Sequence, residues 1–425
     1  MAPRNLGLGS GLATNLETLH ILESNQNGLP FRPPSGFRPT LDVPRYLFRV
    51  CSSGSAGLTT PDLAQSASAA SNYALSRTCL FRLDDASLAA DMVFKHLTWA
   101  SPRAADNLVS WTSSLLTALV YVFYRHARFR ESFDDISLYV VDTTRFLDFT
   151  FVCDLDLICA FRQHSGALAN LEALRHRKHS VWAGSYHFGE YLSQGSLGLT
   201  GRCCSGVSAR RMMDGGLLDM HPRFAEFAQW VRGEEDWASL VVELREPFYA
   251  QSGSARRQVY PNDAQIMSRI GNLFGVGWRA PVAVALLALA PNRMGATDLL
   301  LNFRLLGPMW NPVLEECFDA AAAVNPSNML PEVTEFQYNL NDAYLEFCEL
   351  KVGTCIDSVI DTLQVAQQFI TTIESTRHSS SGIGRPEKRK RLFDLVRALE
   401  GMIEHLFPDK SASDEGGGED IEEDT

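Results

Sequence analysis

The chain has 425 residues, 45% hydrophobic and 21% charged, with a formal net charge of −12. That length predicts two or three domains of ordinary globular composition. The acidic balance argues against non-specific nucleic-acid binding by the whole molecule, and the longest uncharged apolar run, Ala280 to Pro291, is too short to span a bilayer.

Residues 1–42 read as a flexible leader, with a short helix near Leu16 to Glu23 and then a linker rich in proline (Pro30, Pro33, Pro34, Pro39). Met1 to Asn15 lacks the apolar core of a signal peptide, so an intracellular, cytoplasmic protein is expected. Tyr46 to Val50 reads as a strand, and Ser52 to Thr60 as a loop. Pro61 opens a helix to about Ala74, and a strand is expected over Thr78 to Leu83. Ala86 to Lys95 has helical spacing. Val109 to Thr112 is a short strand, and Ser113 is placed to cap the apolar run Leu115 to Tyr124. Ile136 to Asp142, β-branched and nearly unbroken, is the strongest strand pattern in the chain. A mixed segment, Thr143 to Phe161, and a basic stretch, Arg175 to His179, lead to a loop that ends at Glu190.

Residues 206–350 read as a mainly helical region, with helices over Phe224–Val231, Gln265–Phe274, Val282–Leu289 and Val313–Val324 and a strand-like Leu240–Leu244. Residues 351–408 read as a helical hairpin, Val352–Glu374 and Pro386–Phe407, joined by Ser379–Gly384, with Pro386 suited to a first helical turn. Such a hairpin favours packing or self-association. Residues 409–425 form an acidic tail; Ser411 to Thr425 holds seven acids and no base, which predicts disorder.

The nine cysteines include no CxxC pair, so neither a zinc site nor a disulfide framework is signalled. His176, His179 and His187 cluster, but Arg175, Arg177 and Lys178 would repel a metal, and no metal is expected. A basic face that attracts an anionic dinucleotide, or a merely solvated face, fits that stretch better. Arg385 to Arg391 is a short basic run that suits a nuclear import signal, or else the exposed start of a charged helix.

Three segments carry the chemistry. Arg49 interrupts the apolar strand Tyr46-Leu47-Phe48-Arg49-Val50. A polar cluster, Ser110-Trp111-Thr112-Ser113-Ser114, precedes an apolar helix. Glu190 opens Glu190-Tyr191-Leu192-Ser193-Gln194-Gly195. Arginine offers a two-pronged donor matched to phosphate, and a carboxylate can stabilise an oxocarbenium-like ribose.

In this order the segments resemble the Arg–Ser–Glu triad of the ADP-ribosyltransferases, the branch that includes the cholera-type toxins. The resemblance covers residues 44 to about 205. It also extends to an uncharacterised fungal domain family that shares strand, Trp-Thr-Ser and Glu-Tyr-Leu segments of this kind. It implies an α+β fold, a split mixed sheet with flanking helices, followed by the helical C-terminal region. NAD is the implied substrate, with its nicotinamide–ribose bond cleaved by hydrolysis or by transfer to an unknown acceptor. On this resemblance Arg49 would hold the phosphates and the nicotinamide ribose, Ser113 would brace the site and Glu190 would stabilise the transition state. Trp111 and Thr112 would flank the cofactor, while Trp182, Tyr186 and Phe188 would lie on the target loop. Two departures stand out. Trp111 replaces the first serine of the family's Ser-Thr-Ser motif, unless a shift of register puts Ser110 there. Phe188 stands where arginine-modifying members carry a glutamate, and a phenyl ring cannot orient a guanidinium. The rival expectation is an inactive transferase fold that presents the C-terminal helices to a partner.

Overall fold

The computed structural model describes residues 28–100, 106–177, 186–221, 223–230, 236–250, 261–289 and 330–377, with single helical positions at 390, 394 and 397. The expected helices over Leu16–Glu23, Val313–Val324 and most of Pro386–Phe407 lie outside the described residues, as do the acidic tail and, apart from Lys390, the import-like run.

The strands are β1 (Tyr46–Cys51), β2 (Leu58–Thr59), β3 (Leu63–Gln65), β4 (Leu108–Thr112), β5 (Ser137–Asp142), β6 (Val152–Cys153), β7 (Glu190–Gln194), β8 (Ser196–Gly198) and β9 (Val207–Ser208). A six-stranded sheet has the order β6-β7-β4-β1-β5-β9, and a three-stranded sheet the order β2-β3-β8. The fold is α+β, as expected, but every one of these ladders is antiparallel, so the sheet is not mixed. The cause is an interleaved strand. The helix after β4 carries the chain back to start β5 in the same direction, and β1 sits between the two, running the opposite way.

The helices are α1 (Ala67–Ala70), α2 (Ala86–Leu97), α3 (Leu115–Phe129), α4 (Asp154–Phe161), α5 (Gly166–Arg175), α6 (Ala209–Asp214), α7 (Leu217–Met220), α8 (Phe224–Phe227), α9 (Trp237–Ala250), α10 (Pro261–Gly271), α11 (Arg279–Leu287) and α12 (Pro331–Arg377). Ser114, not Ser113, caps α3, its hydroxyl accepting from the Thr117 N–H. Three local expectations change. The helix expected from Pro61 is β3 followed by the single turn α1, because Leu63–Gln65 finds β8 as a partner. Thr78–Leu83 folds into 3₁₀ turns instead of a strand. Buried polar side chains satisfy its backbone: the Leu80 N–H donates to Gln194, and Asn107 donates to the Leu75 and Thr78 carbonyls. Leu240–Leu244 belongs to α9. Val241, Leu244 and Arg245 share one helical face (i, i+3, i+4), and all three are buried there.

Burial explains why the sheet sits where it does. Tyr46, Leu47 and Phe48 of β1 are almost wholly inaccessible, so this central strand is covered on both faces. One apolar cluster joins Phe48 and Leu119 to Phe224, Ile270, Val284 and Phe336. The region after residue 205 therefore shares the core of the sheet and does not form a separate domain. The first compact unit runs from Met1 to Phe347 and the second from Cys348 to Thr425. The proline-rich segment is also packed: Phe31 is buried and donates its N–H to the Phe149 carbonyl at 2.9 Å, and the Thr40 N–H donates to Asp156 at 2.8 Å. No helix among the described residues is long and apolar enough to cross a membrane.

Candidate active site

The site forms where the large sheet is weakest. β1 pairs with β5 at six positions, from Tyr46–Asp142 to Cys51–Ser137, and β4 pairs with β7 at five, from Leu108–Gln194 to Thr112–Glu190. Between β1 and β4 the ladder contact is a single position, Phe48 opposite Thr112. Arg49 follows and spans the seam with its side chain. Its Nη1 donates to the Ser110 carbonyl at 2.7 Å and its Nε to Thr59 Oγ1 at 2.8 Å, while the guanidinium lies 5.7 Å from the Trp111 ring centroid. Burial lowers the pKa of this guanidinium.

Across the seam, strand periodicity puts Ser110 and Thr112 of β4 on the same face as Glu190, the first residue of β7. The Ser110 hydroxyl donates to Glu190 Oε1 at 2.7 Å, and Arg175, at the end of α5, places Nη2 3.2 Å from Oε2. Arg175 is itself fixed by the Tyr186 carbonyl at 3.0 Å and by Asp154 at 3.1 Å. Burial raises the Glu190 carboxyl pKa, with Arg175 pulling the other way. These residues face a cavity of about 700 Å³. Its far wall is aromatic, with Trp99 stacked on Trp237 at 5.4 Å and Tyr121 5.5 Å from Trp99.

Arg49 and Glu190 thus meet in one pocket, whereas Ser113 lies outside it. Ser113 is buried beneath the loop before β7, its N–H donating to the Gly189 carbonyl at 2.8 Å. Gly189 has φ +65°, and a Cβ there would stand 2.3 Å from Ser113 Oγ, so this tight passage requires glycine. Ser110, not Ser113, is the serine next to Glu190. Thr112 lines the pocket, with its hydroxyl donating to the Phe188 carbonyl at 2.8 Å. Trp111 also lines the pocket, its ring beside the Arg49 guanidinium, and its Nε1 donates to Ser193 at 2.9 Å. Phe188 is a core residue packed on Trp237 at 4.6 Å, and Tyr186 is half-buried against the main apolar cluster. Trp182 lies outside the described residues.

Two members of the site have no sequence motif. His96, near the end of α2, places Nε2 2.7 Å from Ser110 Oγ and Nδ1 2.8 Å from Asp106. Burial works against its charged form, but the Asp106 carboxylate outweighs burial and the His96 pKa is raised. A lone histidine in a helix and an aspartate ten positions later give no pattern, so only the fold reveals them. Behind the site, Cys153, Asp154 and His187 bring their ligand atoms within 4.8 Å of one another. The Arg175 guanidinium already supplies a cation to Asp154 there, and burial pushes the His187 pKa down to about 4.

Residues 42–198 match a family described as a domain of unknown function (DUF7587). No curated protein and no solved structure matches the chain. The matched stretch contains every residue that lines the pocket, Arg49, His96, Ser110, Arg175 and Glu190 among them, except Trp237, which α9 supplies.

Proposed function

We propose that the pocket binds NAD and cleaves its nicotinamide–ribose bond, releasing nicotinamide and passing ADP-ribose to water or to an acceptor other than arginine. The observation that carries this reading is the convergence of Arg49, Ser110 and Glu190 on one cavity from three strands far apart in sequence and side by side in the sheet. A cavity of about 700 Å³ is of the size that holds a ligand of this class. Arg49, with Nε and Nη1 already committed, offers Nη2 to a phosphate oxygen. Glu190 keeps unused lone pairs for a ribose hydroxyl, and its charge opposes the positive charge that develops as nicotinamide leaves. The aromatic wall suits a planar base. Phe188, buried against Trp237, leaves no carboxylate to prepare an arginine acceptor.

The test is nicotinamide release from NAD by the full chain. We expect turnover in the wild type and a loss of at least about 100-fold in Glu190→Gln, with the folded state retained. Release that survives this substitution would sink the mechanism.

A second reading, a scaffold that assembles through the second unit, is favoured by Val352, Val365 and Phe369, large apolar residues exposed on α12. It predicts that ending the chain at Phe347 changes the oligomeric state seen in sedimentation, and an unchanged state would count against it.

A further inference from the structure

Ser110 Oγ stands 2.7 Å from Glu190 Oε1 and 2.7 Å from His96 Nε2. Contacts of that length each need a hydrogen between the heavy atoms. The hydroxyl supplies one, so a second proton must belong to the set. His96 Nδ1 lies 2.8 and 2.9 Å from the two Asp106 oxygens, which can only accept, so Nδ1 carries a hydrogen in every arrangement. Two arrangements of the extra proton satisfy both contacts. In one, His96 is an imidazolium that donates to Ser110, and Ser110 donates to an anionic Glu190. In the other, Glu190 is the neutral acid that donates to Ser110, and the hydroxyl has turned to donate to a neutral His96. Total charge is the same in both.

We propose that His96, oriented by Asp106, shares one proton with Glu190 through the Ser110 hydroxyl, and is the positioning residue that lets a buried Glu190 meet its ligand as an anion. This rests on the reading of the pocket as an NAD-cleaving site for its purpose, but not for its geometry. Burial alone drives Glu190 towards the neutral acid. A proton parked on His96 relieves that pressure without carrying net charge into or out of the pocket, and positive charge arriving on a ribose pulls the pair further towards imidazolium and carboxylate. The neighbouring charges fit this division. Arg175 faces Glu190 and favours its anion, while Asp154, behind Arg175, opposes it. Asp106 faces His96 and favours its cation, against burial and the Arg49 guanidinium.

Asp106, His96 and Ser110 also have the outline of a Ser-His-Asp nucleophile set. Glu190 on the far side of the hydroxyl distinguishes the two: as an anion it claims the Ser110 hydrogen, and as the neutral acid, the form in which the hydroxyl turns to His96, it donates to the Ser110 oxygen and occupies a lone pair that a nucleophile would need. An acylating or phosphonylating serine probe should therefore leave Ser110 unmodified, and labelling of Ser110 would overturn the proposal.

The decisive measurement is a ring-nitrogen NMR titration of His96 in the full-length protein without NAD, in the wild type, Glu190→Gln and Ser110→Ala. We expect the His96 pKa to fall by about one unit in Glu190→Gln, and to fall also in Ser110→Ala, where the charge of Glu190 remains but the conduit is gone. A His96 titration unchanged by Ser110→Ala would overturn the shared proton and leave only charge acting through space. The Nδ1–H signature of the Asp106 contact, retained in both variants, shows that the site is still folded. Because this readout needs no turnover, it distinguishes failure of the relay from failure of the NAD reading.

Discussion

Ser110 and Ser113 stand three positions apart and do different work. Ser110 lies within β4, where the two-residue period sends its side chain to the Glu190 face. Ser113 lies beyond the strand end, where the chain has turned towards the cap of α3, and it packs against Gly189. Ser110→Ala should lower nicotinamide release by about 10-fold or more, whereas Ser113→Ala should leave it within about threefold; equal losses in the two variants would contradict this division. The pairing was partly legible, since an alternating strand over residues 109–112 puts 110 and 112 on one face. Arg49 and Glu190 were legible because each interrupts or opens an apolar strand. His96, Asp106 and Arg175 were not, because their partners lie beyond one helical or strand period along the chain and local periodicity carries no trace of those contacts.

A buried ion pair ties α3, α9 and α12 together. Glu332, in the first turn of α12, accepts from the Ser114 hydroxyl at 2.6 Å and from Arg245 of α9 at 2.8 Å, and Arg245 donates onward to the His187 carbonyl at 2.6 Å. Arg245 and Glu332 are 1% and 3% exposed, so neither charge can turn to water if its partner is removed. Glu332→Ala should cost about 3–5 kcal/mol in denaturant unfolding, while the paired replacement Arg245→Met with Glu332→Leu should recover most of that loss. A loss below about 1 kcal/mol in the single variant would show that water or another group replaces the carboxylate. The sequence expectation of helices here was sound for α10 and α11, whose apolar spacing is regular. It missed α9, whose Leu-Val-Val run suits a strand locally and becomes helical because its buried face spans i, i+3 and i+4. The contact between Ser114 and Glu332 crosses 218 positions, beyond the reach of any local pattern.

At the scale of the whole molecule, the expected border at residue 205 falls inside a continuous core. A chain that ends there would expose Phe48, Leu119 and Val140, which otherwise pack with Phe224, Val284 and Phe336. Ending the chain at Phe347 should instead preserve one cooperative unfolding transition followed by circular dichroism, and ending it at residue 205 should abolish it. A cooperative transition in the shorter chain would restore the two-domain reading. Composition pointed to several domains because it counts residues and not the apolar faces left uncovered by a sheet; here the later helices supply the cover.

The large sheet is in effect two ribbons, β6-β7-β4 and β1-β5-β9, touching at Phe48 and Thr112 and laced by one guanidinium. A sheet's middle ordinarily opens last, because its strands are tied on both sides. In this molecule the middle is the natural crease. Breathing along it would widen the pocket floor while both ribbons stay zipped, so a guest could be admitted by flexing the architecture itself and not by lifting a loop away from it.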